Sequence, residues 1–185
     1  MILIINNQSK FIKEFEKTFK KWKVKYKIIG HKDRTDLHKV KNIKGVILSG
    51  GNIGLYYQSL INDYIPLINL NVPIIGFCMG HELIGVVYGG AIKKLKEKQD
   101  KIEKIFLDKK DPLFKGLKKE IFLKEKHVNC ISRLPKEFKP LAHSKTCKIE
   151  IMKHKKRPIY GFQSHPEVSN PDGLIILKNF LKMCK

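Results

Sequence analysis

Two places in this chain carry side chains that together could cleave an amide: a cysteine at 78, and a histidine and a glutamate at 165 and 167. The cysteine lies within the run Val72-Pro-Ile-Ile-Gly-Phe-Cys-Met-Gly-His-Glu-Leu-Ile-Gly. Val72, Ile74, Ile75 and Phe77 read as a buried strand, Gly76 and Gly80 flank the cysteine, and an apolar segment of helical length follows. Such a strand–turn–helix junction is a nucleophile elbow. Its sharp turn lifts one side chain above the sheet, and its small neighbours let a substrate approach the backbone. The helix points its N-terminus at the sulfur, which favours the thiolate, the reactive form. A lone cysteine in an apolar run is ordinarily a buried, inert thiol; the second place changes that reading.

There the chain reads Tyr160-Gly-Phe-Gln-Ser-His-Pro-Glu-Val. A thiol nucleophile needs a base that removes its proton and later protonates a departing amine. Histidine does this near neutral pH, and a carboxylate holds the ring in the useful tautomer. Residues two apart in an extended segment face the same way, so His165 and Glu167 can meet, and Pro166 between them restricts the backbone. The three residues suggest a Cys78–His165–Glu167 catalytic triad.

The elements that must position them alternate along the chain. Met1–Asn6 reads as a strand, Phe11–Trp22 as a helix with apolar positions at Phe11, Ile12, Phe15, Phe19 and Trp22, and Lys23–Ile29 as a second strand. Gly45–Leu48 is expected to be a strand entering a glycine loop, Leu55–Ile68 a helix, and Val72–Phe77 the strand before the elbow. This order predicts an α/β fold with a mostly parallel central sheet and helices on both faces, and it places reactive groups at the carboxyl ends of strands. From about Ala91 to Phe162 short strands are expected at Ile102–Leu107, Ile121–Leu123, Ile149–Met152 and Ile159–Phe162, a small added antiparallel region.

The 185 residues predict one domain, residues 1–185, with 42% hydrophobic residues, enough for a core. No apolar run reaches the roughly 20 residues that span a membrane. The N-terminus resembles a first strand rather than a signal peptide, so a cytoplasmic protein is expected. Four cysteines without close pairing favour neither a zinc site nor a disulfide framework. The formal net charge of +21 raises the question of nucleic acid. The lysines are spread over Lys10–Lys27, Lys93–Lys110 and Lys115–Lys126, and aromatic residues do not interleave with them as a stacking platform. That pattern favours a solvated surface first, docking to an acidic partner subunit second, and nucleic acid last.

Taken together, Gly-Phe-Cys-Met-Gly-His and Gln-Ser-His-Pro-Glu resemble the two triad motifs of the class I glutamine amidotransferases. Gly45-Val-Ile-Leu-Ser-Gly-Gly-Asn resembles the family's strand and glycine loop. Within the family, the resemblance runs closest to the free-standing amidotransferase subunits of archaeal-type two-subunit GMP synthases, and it covers nearly the whole chain. It implies the family's flavodoxin-like architecture. It also implies hydrolysis of L-glutamine to glutamate and ammonia, with Cys78 as nucleophile, His165 as acid and base, and Glu167 orienting His165. The backbone N–H groups of Gly51 and Met79 would form the oxyanion hole, and Gly50, Gly51, Met79, Glu82 and Phe162 would contact substrate. No cofactor is expected in this chain. A partner ATP-pyrophosphatase subunit would carry ATP and Mg²⁺ and convert XMP to GMP; no membrane partner is implied, and no GxxxxGK[ST] loop is present here.

Several positions depart from the family pattern. The fourth residue after the nucleophile, usually Gln, is Glu82. An ionised Glu donates no hydrogen bond and opposes a nearby thiolate. Asn52 stands where Pro is usual, Lys126-His127-Val128-Asn129 replaces Ser-His-x-Asp, and Asn6-Asn7-Gln8-Ser9 replaces an Asp-Asn-Gly-Gly-Gln-like segment. These changes leave two alternatives open. One is a weak or inactive homologue acting as a binding or regulatory partner; the other is a Cys hydrolase of the same fold acting on another γ-glutamyl or amide substrate. His81 is expected to pack locally, and Cys130, Cys147 and Cys184 to be inert.

Overall fold

The computed structural model describes residues 1–33, 40–51 and 57–185. Nine strands form one sheet: β1 (Ile2–Asn7), β2 (Tyr26–Gly30), β3 (Gly45–Gly51), β4 (Ile74–Phe77), β5 (Ala91–Leu107), β6 (Glu120–Arg133), β7 (Phe138–His143), β8 (Ile151–His154) and β9 (Ile159–Phe162). Four helices accompany them: α1 (Ile12–Lys21), α2 (Tyr57–Ile68), α3 (Met79–Val87) and α4 (Asp172–Met183). The spatial order is β2-β1-β3-β4-β9-β8-β7-β5-β6. Every pairing from β2 to β9 is parallel, and every pairing from β9 to β6 is antiparallel.

The parallel strands are apolar at consecutive positions because both of their faces are covered. Ile2, Ile4, Ile47 and Phe77 pack on one face with Phe15 and Phe19 of α1 and Ile176, Leu177 and Phe180 of α4. Leu3, Ile5, Val46 and Leu48 pack on the other with Tyr64 and Leu67 of α2 and Leu83 and Ile84 of α3. The strands around this core agree with the expected ones to within three residues at either end. The expected start of the second helix at Leu55, and Asn52, lie outside the described residues.

The antiparallel region differs from its expected short strands. β5 and β6, 17 and 14 residues long, pair along most of their length with an irregularity between Lys94 and Gln99. Lysines and glutamates occupy most of β5 before Ile105, so its period-2 signal is weak in the sequence. On β6 the buried row is Ile121, Leu123, Glu125 and His127, apolar far from the elbow and polar beside it. Strand β7 lies outside the expected set; Pro140 in its middle lowers its strand signal. Among the described residues, no helix is long and apolar enough to cross a membrane.

Candidate active site

Strand β4 ends at Phe77, and Cys78 turns the chain into α3 with φ 47° and ψ −104°. A side chain held at positive φ is strained, and strain of this kind concentrates at functional sites. Two bonds fix the turn: the Cys78 N–H donates to the Phe162 carbonyl at 2.7 Å, and the Glu82 N–H donates to the Cys78 carbonyl at 3.0 Å. Gly80 permits it, because a β-carbon there would fall on the Leu48 carbonyl of β3. The Met79 N–H bears on the sulfur and favours its ionised form.

Just beyond β9, His165 Nδ1 and Glu167 Oε1 are 2.9 Å apart, with both residues buried. Pro166–Val168 forms a single 3-10 turn, which brings the carboxylate back to the ring. β6 clamps the histidine backbone: its N–H donates to the Lys124 carbonyl at 2.8 Å. The Ser169 hydroxyl donates to the His165 carbonyl at 2.6 Å and accepts from the Lys124 N–H at 2.8 Å. The Phe11 ring packs edge-on against the imidazole at 4.9 Å. Gly50 at the end of β3 makes room for the pair, because a β-carbon there would lie 2.6 Å from His165 Cε1 and 3.4 Å from Cys78 Cβ.

Cys78 and His165 open onto a cleft of about 260 Å³, walled also by Gln8, Phe11, Gly51, Met79, Glu82 and Lys126. Thus Cys78, His165, Glu167, Gly50, Gly51, Met79 and Glu82 come together. Phe162 does not. Its side chain is wholly buried and packs against Phe77 with centroids 6.0 Å apart, so it belongs to the core rather than the substrate wall. The reason is strand alternation: Gln163, its neighbour, turns the other way and donates from Nε2 at 3.0 Å to Oε1 of Glu82, which lines the cleft.

The site's charges oppose ionisation of the sulfur. Burial, then the carboxylates of Glu82, Glu125 and Glu167, push the Cys78 thiol well above its ordinary range. The thiol donates to the Lys126 carbonyl at 3.6 Å, a contact that a thiolate could not make. Burial disfavours the His165 imidazolium, but Glu167, Glu125 and the Lys126 carbonyl outweigh it, and its pKa is raised. The resting pair is therefore a neutral thiol beside an imidazole held toward its protonated form.

Several contributors escaped the sequence reading. Asn7 at the end of β1 is wholly buried. Its amide donates to the Ser49 carbonyl at 2.8 Å, its N–H donates to Ser49 Oγ at 2.9 Å, and its side-chain oxygen accepts from the Tyr64 hydroxyl. It ties β1 to the strand leading into Gly50 and Gly51; a polar residue at the carboxyl end of a parallel strand was the available signal. Glu125 and Glu150 are also fully buried beside the site, and no spacing pattern announces them. His81 is wholly buried, and burial together with His127 lowers its pKa to about 3, so it stays neutral. His143 pairs with Asp108 at 2.8 Å on the surface, and His154 accepts from the N–H groups of Lys156 and Arg157. Among the described residues, no three His, Cys, Asp or Glu side chains are placed to hold a metal ion.

The family profile of class I glutamine amidotransferases matches residues 3–184. A glutamine-hydrolysing GMP synthase subunit from Methanocaldococcus jannaschii is 36% identical over 188 residues, covering 100% of this chain and 97% of that protein. Its counterpart from Pyrococcus abyssi is 36% identical over 189 residues, covering 100% of this chain and 98% of that protein. The crystal structure of a candidate GMP synthase subunit from Thermoplasma acidophilum superposes with a TM-score of 0.87 at 28% identity, covering 99% of this chain and 92% of that one. A glutamine amidotransferase from Thermotoga maritima shares the fold with a TM-score of 0.70 at 17% identity, covering 98% of this chain and 80% of that one. With the family profile spanning almost every residue from β1 to the end of α4, the chain belongs to the class I glutamine amidotransferases.

Proposed function

We propose that this chain is the glutaminase subunit of a two-subunit GMP synthase, working in the cytoplasm and delivering ammonia to a separate ATP-dependent synthetase that converts XMP to GMP. The observation that carries the reading is the His165–Glu167 pair, 2.9 Å apart, set beside the strained Cys78 turn on one cleft. The full-length likeness to glutamine-hydrolysing GMP synthase subunits supports the choice of acceptor.

The chemistry follows from the geometry. His165 takes the Cys78 proton, and the sulfur attacks the side-chain carbonyl carbon of glutamine. The N–H groups of Gly51 and Met79, two residues that line the cleft with Cys78, stabilise the oxyanion. A donor of this kind typically lowers the barrier by about 3 kcal/mol. His165 then protonates the departing ammonia and activates a water against the thioester, with Glu167 holding the ring. Glu82, on the cleft wall, meets the substrate side chain, and Gln163 behind it donates to Glu82 Oε1 and holds the carboxyl group in place. Lys98 and Lys126 stand on the wall of the cleft and favour the α-carboxylate of an amino acid.

One observation favours a second reading, a subunit silent by itself: the thiol is directed to the Lys126 carbonyl and faces three carboxylates. Both readings meet in one assay. Glutamate release is measured with and without the synthetase subunit plus ATP, Mg²⁺ and XMP, beside a Cys78→Ala control. Cys78-dependent release that the partner raises supports the proposal. No release in either arm, with the partner active on free ammonia, overturns it and leaves a non-catalytic homologue or a different amide substrate.

A further inference from the structure

Behind the catalytic pair lies a second buried constellation that the mechanism above does not use. Glu125 and Glu150 are fully buried and His127 nearly so. His127 Nδ1 lies 2.7 Å from the Asn129 carbonyl, which can only accept, so Nδ1 carries a proton. His127 Nε2 lies 2.8 Å from Glu125 Oε2. A bare imidazole nitrogen and a bare carboxylate would repel at this distance. A proton therefore sits at this contact, on the glutamic acid or on an imidazolium.

Glu150 Oε2 is buried without a hydrogen-bond donor among the described residues, and burial together with the Glu125 charge opposes its ionisation, so this second carboxyl group keeps a proton of its own. The Ser144 hydroxyl donates to the far oxygen of Glu150 and itself accepts from the N–H groups of Thr146 and Cys147. Three groups thus hold two exchangeable protons and are neutral together. Loss of either proton leaves one buried negative charge.

That charge would face the catalytic pair. Glu125 sits on β6 between Lys124, whose carbonyl holds the His165 N–H, and Lys126, whose carbonyl holds the Cys78 thiol. Its carboxyl group acts on both, favouring the His165 imidazolium and opposing the Cys78 thiolate. Glu150 joins the same region through its carbonyl, which accepts from the Gln163 N–H at 2.8 Å, two residues before His165. The other charges bearing on Glu125 are Glu103 and Lys101 from β5, and Glu82 and Glu167 bear with it on the sulfur. His81 of α3 faces His127.

We propose that Glu125, His127 and Glu150 form a buried proton store, and that Glu125 is a positioning residue whose protonation sets the ionisation of Cys78 and His165. With the store full, the sulfur is easier to ionise; with one proton gone, the added charge holds the thiol neutral and the imidazole protonated. Burial raises Glu125 to about 8, so the store empties just above neutral pH, before the thiol titrates. On a logarithmic scale the thiolate fraction of Cys78 should then rise more shallowly than one proton requires where Glu125 ionises, below the thiol's own midpoint. The inference rests on Cys78 and His165 being the reacting pair. Its test does not need glutamine, so it can fail independently of the glutaminase reading.

The test follows iodoacetamide alkylation of Cys78 against pH, by mass spectrometry of its peptide, in the wild-type chain and in Glu125→Gln and Glu150→Gln. Gln at 125 keeps the shape and stays neutral at every pH. Its alkylation midpoint should fall by about one pH unit, and the shallow segment where Glu125 ionises should disappear. Glu150→Gln, one contact further away, should move it less, in the same direction. The NMR titration of the His165 ring should fall alongside in Glu125→Gln. A shallow segment in the wild-type log rate below the midpoint supports the store even if neither variant folds. Equal midpoints in folded Glu125→Gln and wild type, or a wild-type log rate that rises with unit slope all the way to its midpoint, overturn the proposal.

Discussion

The two halves of the sheet contribute to the site in opposite ways. The parallel half, β2-β1-β3-β4-β9, is apolar within and presents chemistry only where its strands stop: Asn7 after β1, Gly50 and Gly51 at the end of β3, Cys78 after β4 and His165 beyond β9. The antiparallel half, β8-β7-β5-β6, lays β6 alongside those ends and contributes mid-strand groups, the Lys124 and Lys126 carbonyls and the Glu125 carboxyl. One half aims the reacting atoms, and the other sets how they ionise. A parallel strand exposes its terminal backbone at the sheet's rim, whereas an antiparallel strand can run past that rim and offer its carbonyls sideways.

The division predicts that the largest loss comes from the aiming side. Glu167→Gln keeps the side chain's size but can present an amide N–H to His165 Nδ1, which selects the wrong ring tautomer. Glutaminase kcat measured with the partner present should fall by about 10³- to 10⁴-fold, with KM little changed, because the orienter does not touch substrate. A loss under tenfold would mean that β6, through Lys126 and Glu125, orients the histidine without help, and the proposed division would collapse.

How much of this was legible in the sequence follows the same line. Consecutive apolar residues at Ile2–Ile5 and Val46–Leu48 have few readings other than a strand covered on both faces, and Gly-Phe-Cys-Met-Gly states its own turn. Those features are local. Strand β5, by contrast, is built from lysine and glutamate and owes its length to pairing with β6, a partner that no window of its own sequence contains. Glu125 looks like one more solvated charge between two lysines, and only the register of the hairpin turns it inward. Phe162 and Gln163 were open to exchange for the same reason, since a strand's side-chain alternation is visible in sequence but its phase is not.

Stability should divide as sharply. Phe180 of α4 is fully buried against the parallel half, while Phe122 on β6 is 51% exposed. Phe180→Ala should cost about 3 to 5 kcal/mol, because the packing around the removed ring relaxes only in part. Phe122→Ala should stay within about 0.5 kcal/mol, as an exposed position away from caps and cavities. Urea midpoints at constant slope measure both. Comparable losses would show that the outer face of the β5–β6 hairpin is a second packed surface, and the sheet would no longer divide into a core half and a tuning half.

The smallest effect is expected at Gln8, where the strained conformation and the cleft coincide. Gln8 follows β1 with φ 64° and stands on the cleft wall. An L-residue in this region is strained by about 1 to 2 kcal/mol, and glycine's greater freedom in the unfolded chain offsets about 0.5 to 1 kcal/mol of the relief. Gln8→Gly should therefore stabilise the fold by a few tenths to about 1 kcal/mol, read as a rise of a few degrees in Tm. It should also raise the KM for glutamine a few-fold, because strain kept at a cleft wall is usually coupled to what the cleft holds. A stabilised variant with unchanged KM would show that β1 contributes scaffold alone, through Asn7 and Ser49. The aiming role would then narrow to the ends of β3, β4 and β9.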